Sequence, residues 1–187
     1  MFIRHRAPVG VLLYPLLMLA VSAFAAAPEF ADENAVKAAF VYNFAKFTEW
    51  PDETWNRTPQ LRLCVAGTDE DLTQAIANLE SKATVRGKPL QVRRLAGPEE
   101  APQCHILVLT GRIKPQPWLL ATSGNAVLTV GEGEAFNGAG GMIGLYLDND
   151  KVRFDASVDA AQRAGLRLSS QILRLARQVR DSSKGSR

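Results

Sequence analysis

Apolar residues recur at helical spacing between Asp32 and Glu49, where Val36, Phe40, Phe44 and Phe47 share one face. Asp32 is placed to cap this helix, and Trp50-Pro51 ends it, because a residue before proline is pushed out of helical geometry. The period then shortens. Leu61–Val65 reads as a strand, and Gly67-Thr68-Asp69 as a turn whose Thr68 or Asp69 caps a second helix running to about Ser81. Leu72, Ile76 and Leu79 form the buried stripe of that helix. After a turn at Arg86–Pro89, residues Leu90 to Leu95 alternate as a strand, with Leu90, Val92 and Leu95 set against Gln91, Arg93 and Arg94.

Gly97 to Gln103 reads as a proline-containing loop. Ile106–Leu109 is continuously apolar, as a central strand covered on both faces would be. Pro117 to Ala121 predicts a short helix, and Ala126 to Val130 another strand. The segment from Gly131 to Gly141 is rich in glycine. It matches neither dinucleotide-binding nor P-loop spacing, so a flexible connection is the plainer reading and a backbone phosphate cradle the sharper one. Met142 to Leu147 and Lys151 to Asp155 predict a hairpin around Asp148-Asn149-Asp150. Ser157 caps a helix through Ala164 that Gly165 ends. A last helix is expected from Ser169 to Arg180, with Ile172, Leu173, Ala176 and Val179 inward and Arg174, Arg177 and Arg180 as a basic stripe. Strands alternate with helices until the hairpin. The expected fold class is therefore α/β: a single domain, one mixed β-sheet with helices on both faces, and a C-terminal helix.

The N-terminus changes how the charge is read. Arg4 and Arg6 precede an apolar run from Val9 to Val21, and Ala23-Phe24-Ala25 has the small-x-small form of a cleavage site. The run is about 13 residues, against the roughly 20 that span a bilayer. We therefore expect a signal peptide at residues 1–25, a domain at 26–180 and a polar, disordered tail at 181–187; an uncleaved anchor is the alternative. The whole chain carries 22 basic and 19 acidic residues. Losing Arg4 and Arg6 leaves 20 against 19, so its basicity belongs largely to the export signal and no nucleic-acid partner is expected. The chain is not expected to span the membrane itself.

Candidate chemistry is sparse. Beyond the signal peptide one histidine remains, His105, at the head of an apolar run, where a structural role is the expectation. No nucleophile elbow, zinc-ligand spacing or calcium loop appears, so we expect no metal, no cofactor and no catalysis. Two cysteines, Cys64 and Cys104, sit at the ends of strand-like runs. In an exported chain an even count points to a disulfide, and adjacent parallel strands would bring the pair together. Two buried free thiols are the other reading.

The order of several segments carries a resemblance. Tyr42-Asn-Phe-Ala-Lys-Phe-Thr-Glu-Trp-Pro51 precedes Leu61-Arg-Leu-Cys-Val-Ala-Gly67, followed by Val127-Leu-Thr-Val, the glycine-rich stretch, Val152-Arg-Phe-Asp-Ala-Ser-Val and Gly165-Leu-Arg-Leu-Ser-Ser-Gln-Ile-Leu-Arg-Leu-Ala176. This order resembles the YfiR/HmsC family of periplasmic proteins. The resemblance implies a regulator that represses an inner-membrane diguanylate cyclase of the YfiN type through the cyclase's periplasmic portion, lowering cyclic-di-GMP and biofilm formation. It implies a Cys64–Cys104 disulfide, and no second family bridge, because the glycine-rich segment here has no cysteine. It also implies a ligand site at Asp155, Ser157 and Arg167, with Ser169 standing where some relatives have histidine. From the residues alone, the Asp155 carboxylate and the Arg167 guanidinium can hold a small zwitterion or each other, and a structural salt bridge between them is at least as plain a reading. A homodimer and another sensor protein as partner fit the same resemblance. A solute-binding or accessory protein for an envelope receptor or transporter is the second functional reading, and a periplasmic hydrolase the third.

Overall fold

A computed structural model of the chain describes residues 32–80 and 83–182. The expected signal peptide, its cleavage position at Ala25 and most of the expected tail lie outside the described residues.

The elements in chain order are α1 (Glu33–Lys46), β1 (Thr48–Glu49), α2 (Asp52–Asn56), β2 (Leu61–Gly67), α3 (Glu70–Ala77), β3 (Thr84–Val85), β4 (Lys88–Arg94), β5 (Ile106–Thr110), α4 (Gln116–Ala121), β6 (Leu128–Glu132), β7 (Ile143–Asp148), β8 (Lys151–Ser157), α5 (Val158–Arg163), β9 (Arg167–Leu168), α6 (Ser170–Leu175) and β10 (Val179–Arg180). Short 3-10 turns cover Pro98–Gln103 and Glu134–Phe136. Eight strands form one sheet in the order β10-β8-β7-β6-β5-β2-β4-β3, while β1 and β9 pair separately. Strands β4, β2, β5, β6 and β7 run parallel; β8 turns back antiparallel to β7. The fold is thus α/β with a mixed sheet, as the alternation of elements predicts.

The pleat sorts the side chains into two cores. Leu63, Val65, Ile106, Val108, Leu128 and Val130 meet Val41 and Phe44 of α1, Leu72 and Ile76 of α3, Ala160 of α5 and Ile172 of α6. Their neighbours along the strands, Cys64, Ala66, Leu107 and Leu109, point the other way, toward Trp118 of α4 and Ala101. All five residues of β5 are buried, so its unbroken apolar run follows from cover on both faces.

Local chemistry sets most boundaries. Asp32 accepts the Asn34 N–H at 3.1 Å, Asp69 the Leu72 N–H at 2.9 Å and Ser157 the Ala160 N–H at 3.2 Å, each capping its helix. Asn149 and Asp150 both have positive φ, the backbone of a two-residue hairpin turn that matches strand twist. Gly165, at φ +71°, closes α5 in the left-handed conformation expected just past a helix end.

Three expectations need correction. The first helix stops at Lys46, and Thr48–Glu49 pairs with β9 instead. Its deepest face is also rotated: Ala38, Val41, Phe44 and Ala45 are buried, while Phe40 and Phe47 sit on the shoulder, half-buried. The last helix ends at Leu175, not Arg180. Beyond it the Arg177 N–H donates to Phe154 O at 2.9 Å, Ala156 N–H donates to Gln178 O at 2.9 Å, and β10 runs parallel to β8. Covering the otherwise open edge of β8 satisfies backbone groups that further helix would leave bare. Val179 is therefore exposed, and Arg174, Arg177 and Arg180 do not form one helical stripe.

The glycine-rich segment folds around a short 3-10 turn at Glu134–Phe136. Its 3-10 turn drives the Phe136 ring into the second core, and a Cβ on either Gly131 or Gly141 would collide with that ring. These glycines make room for an aromatic side chain. Gly141→Ala is expected to cost about 1–3 kcal/mol by forcing the ring aside. The check is the urea-unfolding midpoint; an unchanged midpoint would show that the ring moves away freely.

Candidate functional site

Doubly wound sheets place ligands at the carboxyl ends of the strands, where the winding reverses. Here that point lies between β2 and β5, and the protein's own groups occupy it. Arg112 N–H donates to Thr68 Oγ1 at 3.2 Å, and Gly111 N–H to Glu132 Oε2 at 2.5 Å. Lys37, buried on α1, contacts Glu132 Oε1 at 2.5 Å and Glu33 at 2.8 Å. Burial alone would pull the Lys37 pKa down; its two carboxylate partners outweigh that and hold it above the usual lysine value. Nothing in the sequence pattern marked this cluster, because Lys37 sits at a position that periodicity treats as polar surface.

The three residues assigned to a ligand site have separate tasks. Asp155 is buried on β8, where it accepts the Tyr146 phenol at 2.9 Å and the Gln178 N–H at 3.1 Å. It therefore ties the segment after α6 to the sheet. Burial and the Asp155 carboxylate raise the Tyr146 pKa to about 12, so the phenol stays a donor. Ser157, on the same strand, spends its oxygen capping α5. Arg167 lies on β9, exposed, with Nε 3.4 Å from Glu49. The structure brings Asp155 and Ser157 together on one strand and pairs Arg167 with Glu49, so of the two uses for the Asp155–Arg167 pair the direct salt bridge is not the one formed.

The disulfide expectation is met. Cys64 of β2 and Cys104, just before β5, are bonded with a Cα–Cα separation of 5.9 Å, within ordinary disulfide geometry. Both are buried in the second core. No free cysteine occurs among the described residues.

A larger surface feature lies between α1 and α6. Phe40, Phe44 and Phe47 of α1, Phe154 of β8, and Ile172 and Leu175 of α6 line a groove of about 280 Å³, with Asn43 and Gln171 as its polar members. The Phe44 and Phe154 rings meet edge-to-face at 4.9 Å, and Phe40 lies 5.6 Å from Phe154. These contacts make an aromatic, apolar floor. Leu175 on the rim is 71% exposed. Sequence periodicity found the phenylalanines of α1 but not Phe154 or Leu175, since only the crossing of α6 over β8 brings them there. Phe44 packs into the core, while Phe40 and Phe47 stay half-buried at the groove. Among the described residues no helix is long and apolar enough to cross a membrane, and no group of three or more His, Cys, Asp or Glu side chains is placed to hold a metal ion.

Comparison with known proteins places this architecture. The fold is similar to the crystal structure of the ABC domain in complex with L-Trp from Streptococcus pneumonia, with a TM-score of 0.54 and 11% identity. That likeness covers 76% of this chain and 60% of the other, and at this identity it concerns fold alone. A family model described as YfiR/HmsC-like matches residues 34–177, from the start of α1 to the segment that follows α6. This chain belongs to the YfiR/HmsC-like family.

Proposed function

We propose that this chain is a periplasmic regulatory protein that binds the periplasmic portion of an inner-membrane diguanylate cyclase and represses it, lowering cyclic-di-GMP and biofilm formation. The family match over residues 34–177 carries the reading. The groove between α1 and α6 supports it, because a concave, aromatic-lined surface beside an exposed leucine is the kind of site that anchors a partner's apolar side chain. The export signal at residues 1–25 belongs to the same proposal and places the chain where the partner's periplasmic portion is. No reaction is assigned to the chain.

The test is capture from detergent-solubilised membranes with the tagged protein as bait. Recovery of a cyclase with a periplasmic sensor region is expected. Leu175→Asp, at an exposed rim position, is expected to weaken that capture by roughly tenfold, about 1.4 kcal/mol, with the thermal midpoint unchanged. If the bait recovers no cyclase or other sensor protein, the proposal fails.

A further inference from the structure

A second cavity, of about 150 Å³, shares no lining residue with the groove. Its walls come from the end of α4 and the turn after it, the start of β6, the glycine-rich loop and α5. No carboxylate lines it; its polar side chains are the hydroxyls of Thr122, Ser123 and Thr129 and the Arg163 guanidinium.

Several of its donors are unspent. Thr129 is 2% exposed and accepts the Met142 N–H at 3.1 Å, but its own hydroxyl proton goes to no acceptor among the described residues. The Gly124 N–H likewise makes no hydrogen bond among them, and a Cβ at Gly124 would meet nothing within 4 Å, so the backbone is open there. Arg163, exposed on α5, lends its charge to Asp159, whose pKa is lowered first by its Ser182 hydrogen bonds and then by Arg163. Asp159, one turn earlier on α5, is held by the Ser182 N–H and hydroxyl. A buried hydroxyl proton is costly to leave without an acceptor, and a guanidinium beside free N–H and O–H donors is the usual chemistry for holding a carboxylate or phosphate.

We propose that this cavity is a binding site for a small oxyanion: a free phosphate, or a compact carboxylate. Arg163 supplies the charge, Thr129 a buried donor, and Ser123 and Gly124 the donors at the mouth. The cavity, about 150 Å³, has room for a group of the size of phosphate or a compact carboxylate. The site goes beyond the partner-binding reading and does not rest on it, since binding is measured on the isolated chain.

The experiment is isothermal titration of the purified protein with inorganic phosphate and, separately, with succinate, at constant ionic strength. Saturable one-to-one binding of at least one is expected, and which of them binds separates the phosphate source from the carboxylate source. Arg163→Gln, an exposed change, is expected to weaken binding at least roughly tenfold, and Ser123→Ala by a few-fold, while Arg174→Gln on α6 leaves it unchanged. Absence of saturable binding by either anion, or equal affinity in Arg163→Gln, overturns the proposal.

Discussion

Reduction of the Cys64–Cys104 bridge is expected to lower the unfolding free energy by about 4 kcal/mol, a large part of the 5–15 kcal/mol that typical domains possess. The bridge joins residues separated by 40 positions, so breaking it restores a long loop to the unfolded chain. Both half-cystines are buried and belong to the smaller core, with Ala66, Leu107 and Trp118. A reductant therefore meets the bond mainly through unfolded or opened molecules, and reduction should be slow under native conditions and fast in denaturant. Urea unfolding with and without dithiothreitol measures the effect. The Cys64→Ala/Cys104→Ala double variant should resemble the reduced protein, apart from the small loss of sulfur packing. Equal unfolding midpoints in both redox states would show that the bridge adds nothing to stability.

How far the sequence reveals this structure depends on the range of the interaction involved. Asp32, Asp69, Ser157, Gly165 and Asn149-Asp150 act within a few residues of themselves, and each does what its local chemistry implies. The unbroken run of β5 announced cover on both faces because burial leaves a pattern in one strand. Strand order left no such trace: the reversal between β2 and β5 is decided by which faces of distant strands fit. The end of α6 departs from its sequence pattern for a related reason. Ile172, Leu173, Ala176 and Val179 keep helical spacing, yet the open edge of β8 competes for the backbone after Leu175 and wins. The candidate site divides in the same way. Its α1 phenylalanines were legible from periodicity, whereas Phe154 and Leu175 join them only through tertiary packing. The glycine-rich loop was legible as unusual but not in its purpose, since the Phe136 ring that its glycines accommodate looks like any other aromatic in sequence.

His105 should make stability fall between about pH 6.5 and pH 4. Its side chain is 3% exposed, and Nδ1 accepts the Arg62 N–H at 3.1 Å. Burial, reinforced by the charges of Arg62 and Lys88, depresses its pKa to about 4. Protonation at Nδ1 would break the hydrogen bond as well as bury a charge. Above pH 6.5 the ring is neutral in both folded and unfolded chains, and the full stability is present. As pH falls through 6.5 the unfolded chain takes up a proton that the folded one refuses, so stability drops until the folded ring titrates near pH 4. The total is about 3 kcal/mol. Carboxylates titrate near the lower end of this window, so the wild-type curve alone does not isolate the histidine. His105→Asn does, because its side-chain oxygen can accept the Arg62 N–H and does not titrate. The difference in unfolding free energy between the two proteins should shift by about 3 kcal/mol in favour of the variant from pH 7 to pH 4. Parallel stability curves would mean that His105 is protonated in the fold at little cost, and that its burial between β2 and β5 does not hold it neutral.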